Sequence, residues 1–448
     1  MKLHPGLLLA ASAAAVFAAL QIWIGFWRFD IYRAGVDDGI FTQVILSTGG
    51  CFCAAAEGLN HMLVHFSPAL VAGYPFLRIF GDAHGLIVLQ ALAIAATAFP
   101  LYGIAKRHVN DTTAGLFAVV AMAYPVLWAQ TFTDFHENAF VPVLDATLAW
   151  SIVARRRRFG AAAAAALLLV KEDQTVLLAM IGVLVALVYR RDKDLRRFGV
   201  GVAAAAVAVA VLYFAAIRPW IDPGLSYGGL KFFNWTGATL ANAPTVPLLS
   251  MQRVEYLFWA LLPLTFLPLR SRLFLLAIPG LLEVLASRYD ILLVFQTHYS
   301  MLWSGFMLAA FVDAAAEIAS AGGLRARLAL GVPLLASLAV LQFRDPMARW
   351  YYLYRSPGPH DAELSRVLAS LPSDAAVSGT DEIYAHLATR PLARHGVEGE
   401  YFVADRQLAD PTWFSRDEQI LNAALKAGTY RIVRDSDGIV VARKTGKP

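Results

Sequence analysis

The sequence predicts a mainly α protein, a polytopic transmembrane bundle of about eleven spans over residues 1–343, followed by a small α/β domain over 344–448. Three observations predict it. Of 448 residues, 58% are hydrophobic and 16% charged, whereas soluble domains carry about 25% charged residues. Apolar runs of span length recur from Pro5 to Gln342. From Phe343 the composition turns polar and mixed.

A span needs about 20 apolar residues, and short cytoplasmic loops are rich in Lys and Arg. The first run, Pro5–Trp27, outlasts the roughly 7–15 residue apolar region of a signal peptide and reads as an uncleaved span. The others expected are 84–105, 113–131, 138–154, 159–170, 174–189, 199–217, 254–269, 273–286, 296–316 and 328–342. With the N-terminus inside, the basic loops KRHVND, RRRR, RRDKDLRR, LRSR and LRAR all fall in the cytoplasm. That path requires Phe66–Phe80, which holds two prolines, to lie along the membrane within a first outer loop, 28–83. The net charge of +5 then serves orientation; no aromatic-interleaved basic stretch points to nucleic acid.

Beyond the bundle, HDAELSRVLASL has the pattern of an amphipathic helix and AAVSG of a short strand. In TYRIVRDSDGIVVARK, Asp-Gly between alternating runs predicts a hairpin. Cys51 and Cys53, one residue apart, read as packing residues and not as a bridge.

The threading gathers several polar clusters on the outer face. In LLLVKEDQTVLLAM, Lys171, Glu172 and Asp173 interrupt an apolar run. The run before them is only about 12 residues, about 18 Å of helix against a core of about 30 Å, so the turn is recessed. Charges at such depth cost about 2.5–3.5 kcal/mol each and must face one another, polar groups or a water-filled cavity. They form either a structural ion pair or a functional site. In VDDG, Asp37 and Asp38 suit a general base or metal ligands, or an N-cap for GIFTQVIL. In TDFHEN, the spacing of Asp134, His136 and Glu137 suits a divalent ion such as Mg or Mn, or a polar turn with Asp134 capping the next span. His61, His65 and His298 are phosphate or metal partners, or packing histidines. Tyr299 and Trp303 fit an aromatic belt. Arg218, Lys231 and Arg253, in the long loop, are contacts for an anionic headgroup or solvated loop residues.

These clusters carry a resemblance. The chain resembles the bacterial polytopic membrane family catalogued as domain of unknown function 2079, whose runs D-x-G-I-F-x-Q, H-F-S-P, D-F-H-E, K-E-D and H-Y come in this order. Here they read Asp37 to Gln43, His65 to Pro68, Asp134 to Glu137, Lys171 to Asp173 and His298-Tyr299. The sequence departs at Val64, where the family often has Asp, and at Asp38, where it often has Leu, which leaves Asp37 as the motif acid. That family is similar in layout to the GT-C glycosyltransferases, which take a sugar from a polyprenyl-phosphate or pyrophosphate donor.

The resemblance implies a GT-C-like enzyme of the bacterial inner membrane, with its C-terminal domain outside. It would move a sugar from a lipid-linked donor in the bilayer to a glycan or lipid acceptor. Asp37 is the expected base, and Asp134 and Glu137 position the acceptor or a metal, with Asp37 a third candidate ligand. Lys171, with His65 or His136, offsets the phosphate, and Glu172 and Asp173 hold Lys171. Asp38, Gln43, His298 and Tyr299 complete the expected substrate contacts. A protein that binds or transports a lipid-linked glycan is the alternative.

Overall fold

The computed structural model describes residues 4–224, 245–295, 297–343, 355–408 and 414–446. The Arg218–Arg253 loop is therefore described only at its ends, and Lys231 and Gln296 lie outside the described residues.

Each expected span is a helical segment, but the lengths differ. Among the described residues, five helices are long and apolar enough to cross a membrane: Pro5–Asp30, His84–Ala105, Lys193–Ile221, His298–Ala319 and Gly323–Gln342. A sixth candidate, Asp111–Met122 with Pro125–Phe132, bends by 47°. The bend falls at Pro125, whose ring cannot continue a helix and holds Tyr124 in an extended conformation. Val141–Val153, Arg157–Leu167, Asp173–Val188, Met251–Leu261 and Phe274–Ala286 are shorter.

The helix at Met301–Ala319 is the axis of the bundle, with nearly every side chain buried. Small residues bring helices close to it, as membrane packing favours. A Cβ on Gly305 would meet the Pro142 carbonyl at 2.4 Å. Trp303 is fully buried, its Nε1 donating to the Tyr256 hydroxyl at 3.1 Å, so it belongs to the core and not to an aromatic belt.

The two ends of the bundle differ in chemistry. At one end the basic loops meet: Arg155 pairs with Asp192, Arg157 with Asp194 and Lys106 with Asp111. His108 and Ser271 both reach Asp313 there. At the other end Phe66–Phe80 forms a 3₁₀ turn and a helix with Val71, Tyr74, Ile79 and Phe80 exposed, as a segment lying along a membrane requires.

Beside it, strands β1 (Cys53–Ala54) and β2 (Leu59–Asn60) pair antiparallel. Cys51 and Cys53 form a disulfide, contrary to the expectation of free packing thiols. Their Cα atoms are 5.2 Å apart because the turn folds back, within the span a disulfide needs.

The C-terminal residues build a five-stranded sheet in the order β4-β3-β5-β7-β6. Its strands are β3 (Val377–Gly379), β4 (Arg394–His395), β5 (Tyr401–Asp405), β6 (Tyr430–Ser436) and β7 (Ile439–Lys444). The β6–β7 hairpin turns at Asp437 and Gly438, both at positive φ, as Asp-Gly predicts. The expected helix is Pro359–Ser370.

This sheet region packs on the non-basic end. Tyr384, from the helix Asp381–Leu387, donates to Gln43 Oε1 at 2.6 Å. His386 stacks between Phe29 and Tyr32 at 4.0 and 3.9 Å, its Nε2 bonded to the Phe29 carbonyl. Burial pushes that imidazole down to about 4, so it packs as a neutral ring.

Candidate active site

The site starts where the first span ends. Arg28, on the last turn of Pro5–Asp30, donates to Asp134 Oδ1 at 2.7 Å and to Asp38 Oδ2 at 2.9 Å, with all three side chains buried. Asp134 also accepts the backbone N–H groups of Gly35, Asp37 and Asp38, at 2.8, 3.1 and 3.4 Å. It therefore caps the helix Val36–Leu46 from a distant loop. Neither Asp37 nor Asp38 caps that helix, and Asp134 does not cap the span that follows it; the first-turn amides of Val36–Leu46 lie closer to its carboxylate.

Asp38 Oδ1 accepts the Phe135 N–H at 2.8 Å, locking the two segments together. Burial, with Asp134 beside it, pushes the Asp38 carboxyl up to about 7. Burial acts on Asp134 in the same direction, but Arg28 and the Gly35 amide outweigh it and hold that carboxyl below its ordinary value.

Asp37 points the other way. Its side chain is 42% exposed, and its Oδ2 lies 3.3 Å from His136 Nε2. His136 Nδ1 sits 3.2 Å from the Asp134 carbonyl, which can only accept, so Nδ1 carries a hydrogen. The imidazolium form satisfies both neighbours. Burial opposes it, but Asp37 carries the His136 pKa above its ordinary value. His136 stacks on His298 with centroids 3.7 Å apart.

The recessed KED turn closes the site from below. Lys171 Nζ lies 3.2 Å from Glu137 Oε1, both buried, and 6.0 Å from the Tyr299 ring centroid. Glu172 accepts from the Phe66 N–H at 2.9 Å and meets His65 Nδ1 at 2.9 Å, so the K-E-D and H-F-S-P runs grip each other.

One neighbourhood thus holds Asp37, Asp38, Asp134, His136, Glu137, Lys171, His298 and Tyr299, with Glu172 and His65 at its edge. Gln43 stands apart: its Oε1 accepts from the Ala55 N–H and the Tyr384 hydroxyl, so it clamps backbone and sheet region. His61 also stands apart, its Nδ1 held by both oxygens of Glu57. Arg253 donates to the carbonyls of Pro247, Leu285, Val246 and Ser287, which ties a loop together and leaves no fork for a headgroup. Arg218 is buried beside Tyr213.

The expected metal ligands do not fit a divalent ion. Asp134 gives both oxygens to Arg28 and backbone amides, Glu137 faces Lys171, and only Asp37 remains available. Among the described residues no group of three or more His, Cys, Asp or Glu is placed to hold one.

Four contributing residues escaped the sequence reading. Arg28 organises the two acids. Gln90 Oε1 accepts the His136 N–H at 3.2 Å and its Nε2 donates to the Gln130 carbonyl. Gln130 Nε2 donates to Phe295, Thr297 and Ser300, holding the loop that carries His298. Glu283 lies in electrostatic reach of Asp173 and Lys171. Gln90 and Glu283 are lone polar residues inside apolar runs, the signal that singled out KED, whereas Arg28 and Gln130 sit at span ends among other polar residues and gave no such signal.

A helical bundle with its acid-histidine cluster at one end, under a small sheet region, and its basic loops at the other has the architecture of a multi-span membrane protein, and its solved structural neighbours share a GT-C-like fold. The chain belongs to the family described as Predicted membrane protein (DUF2079), whose model matches residues 28–441. Two solved structures are similar over nearly their full length, both of ArnT from Cupriavidus metallidurans. The form bound to undecaprenyl phosphate has a TM-score of 0.60 at 14% identity, covering 97% of this chain and 98% of that one. The apo form has a TM-score of 0.59 at 13% identity with the same coverage. A search of the curated proteins finds no match.

Proposed function

We propose that the protein is a membrane glycosyltransferase that moves a sugar from a polyprenyl-phosphate donor to an acceptor hydroxyl on the extracytoplasmic side. The observation that carries this reading is one half-exposed carboxylate, Asp37, paired with the buried His136, with the buried Lys171 in electrostatic reach of that imidazole. The fold shared with ArnT bound to undecaprenyl phosphate supports a lipid-linked partner.

In this reading Asp37 takes the proton of the acceptor hydroxyl as its oxygen bonds to the anomeric carbon of the donor. The bond from that carbon to the phosphate oxygen breaks, and the phosphate keeps the electron pair. Lys171 and the His136 imidazolium offset the charge that grows on the leaving phosphate, in a buried setting where such terms are large. Arg28, Asp38 and Asp134 hold the helix that carries Asp37. The basic loops face the cytoplasm and the site and sheet region lie outside, in keeping with the positive-inside rule.

The test compares wild type, Asp37→Asn and Lys171→Met with labelled polyprenyl-phosphate sugars. The expected result is transfer by wild type, loss of transfer with retained donor binding in Asp37→Asn, and weakened donor binding in Lys171→Met. Binding without transfer in all three would favour the carrier reading and overturn the enzyme.

A further inference from the structure

The sheet region has a cavity of its own, apart from the acid-histidine site. β3 pairs parallel with β4 on one side and with β5 on the other, so three neighbouring strands present their carboxyl ends together. The chain leaves those ends toward opposite faces. After β3 it enters the helix Asp381–Leu387, whose Ile383 and Leu387 pack on one face with Val377 and Val403. After β5 it enters the helix Phe414–Lys426, whose Leu421 and Leu425 pack on the other with Phe402 and Ala404. Where connections part in this way a crevice opens beyond the strand ends, and open α/β sheets bind their ligands in it.

The crevice here is a cavity of about 360 Å³, within the size range of small-molecule sites. Each strand end reaches its wall: Thr380 just after β3, His395 at the end of β4 and Asp405 at the end of β5. Asp381 Oδ1 and His395 Nε2 lie 2.6 Å apart and answer each other. Asp405 is engaged by His360 Nε2 at 2.6 Å and by the Gln407 N–H at 2.9 Å. The charges left on the wall are Glu382, Glu398 and Asp417 against Arg416 alone. Burial raises the carboxyls of Glu382 and Asp417, as befits acids short of a counter-ion, and a bound cation would bring them back down. Val397 and Ile420 add apolar wall.

We propose that this switch-point cavity is a second binding site and takes a small organic amine, its ammonium donating to Asp417, Glu382 and Glu398 and its stem lying along Val397 and Ile420. Carboxylates only accept hydrogen bonds, and an ammonium only donates them. A bare divalent ion suits the cavity less: among the described residues no three His, Cys, Asp or Glu are placed to hold one. The site stands independently of the glycosyltransferase reading. It lies one helix from the proposed base, because Asp381–Leu387 rests on Val36–Leu46 through Tyr384 and Gln43.

The test is calorimetric titration of the purified full chain in detergent near neutral pH. The probes are putrescine, glucosamine, magnesium ion and an uncharged butanediol. At least one of the two amines is expected to bind, and roughly tenfold or more tighter than the diol. Asp417→Asn should weaken that amine roughly tenfold, while Glu418→Gln, on the same helix but off the cavity wall, should leave it unchanged. If Asp417→Asn does not fold, Glu398→Gln, at an exposed wall position, takes its place. Binding of neither amine would overturn the proposal, as would a diol that binds equally well. Displacement of the amine by equimolar magnesium would show an acidic cluster that takes any cation, and would also overturn it. So would equal affinity in wild type and the wall variant, which would put the amine elsewhere.

Discussion

Arg28 sets different tasks for the two acids it touches. Asp134 is held ionised by Arg28 and amide donors, so Asp134→Asn should break a buried pair and cost about 3–5 kcal/mol, read as a lowered thermal midpoint in detergent. Asp38, raised from 3.8 to about 7, gives up its proton late. A raised carboxyl favours the fold fully below its unfolded value, and that contribution is lost as pH climbs through about 7. Wild-type stability should therefore fall between about pH 4 and 7 and level off above that, and Asp38→Asn should flatten that slope at a cost of less than about 1 kcal/mol near neutrality. An unchanged slope in Asp38→Asn would reject this assignment. The presence of these acids was legible, because charges beside apolar runs are conspicuous. Their division of labour was not, since it depends on the amides of Gly35 and Phe135 reaching them across about a hundred residues of sequence.

The helix Val36–Leu46 joins the site to the sheet region, and its motif D-x-G-I-F-x-Q is largely a record of that contact. Gly39 and Gln43, four residues apart, share one face. A Cβ on Gly39 would lie 2.6 Å from the Tyr384 ring and 3.3 Å from the Ala385 backbone. Gly39→Ala should destabilise by about 1–3 kcal/mol through overpacking, and Tyr384→Leu in the same chain should recover part of the loss in thermal unfolding. Failure of the double variant to recover anything would show that the clash lies elsewhere. At this scale the sequence revealed the hairpin at Asp437-Gly438 and the breaks at prolines, because turn chemistry is local. It hid the disulfide, because only the folded-back turn brings Cys51 and Cys53 together.

In the whole molecule the basic loops and the acid-histidine cluster lie at opposite ends, an arrangement the positive-inside rule made legible without coordinates. The number of full-length spans was less legible: several apolar runs fold as helices shorter than a bilayer, and the bundle wraps them around the helix Met301–Ala319. The orientation makes its own prediction. A membrane-impermeant maleimide applied to intact cells after mild reduction should label Cys51 or Cys53, and labelling only after lysis would invert the topology. The most direct test of the account is a cryo-EM map of the full chain with undecaprenyl phosphate. The account predicts phosphate density within hydrogen-bond reach of Lys171 Nζ, on the side facing Asp37 and His136. Phosphate density at the basic-loop end, or on a surface remote from Lys171, would contradict it.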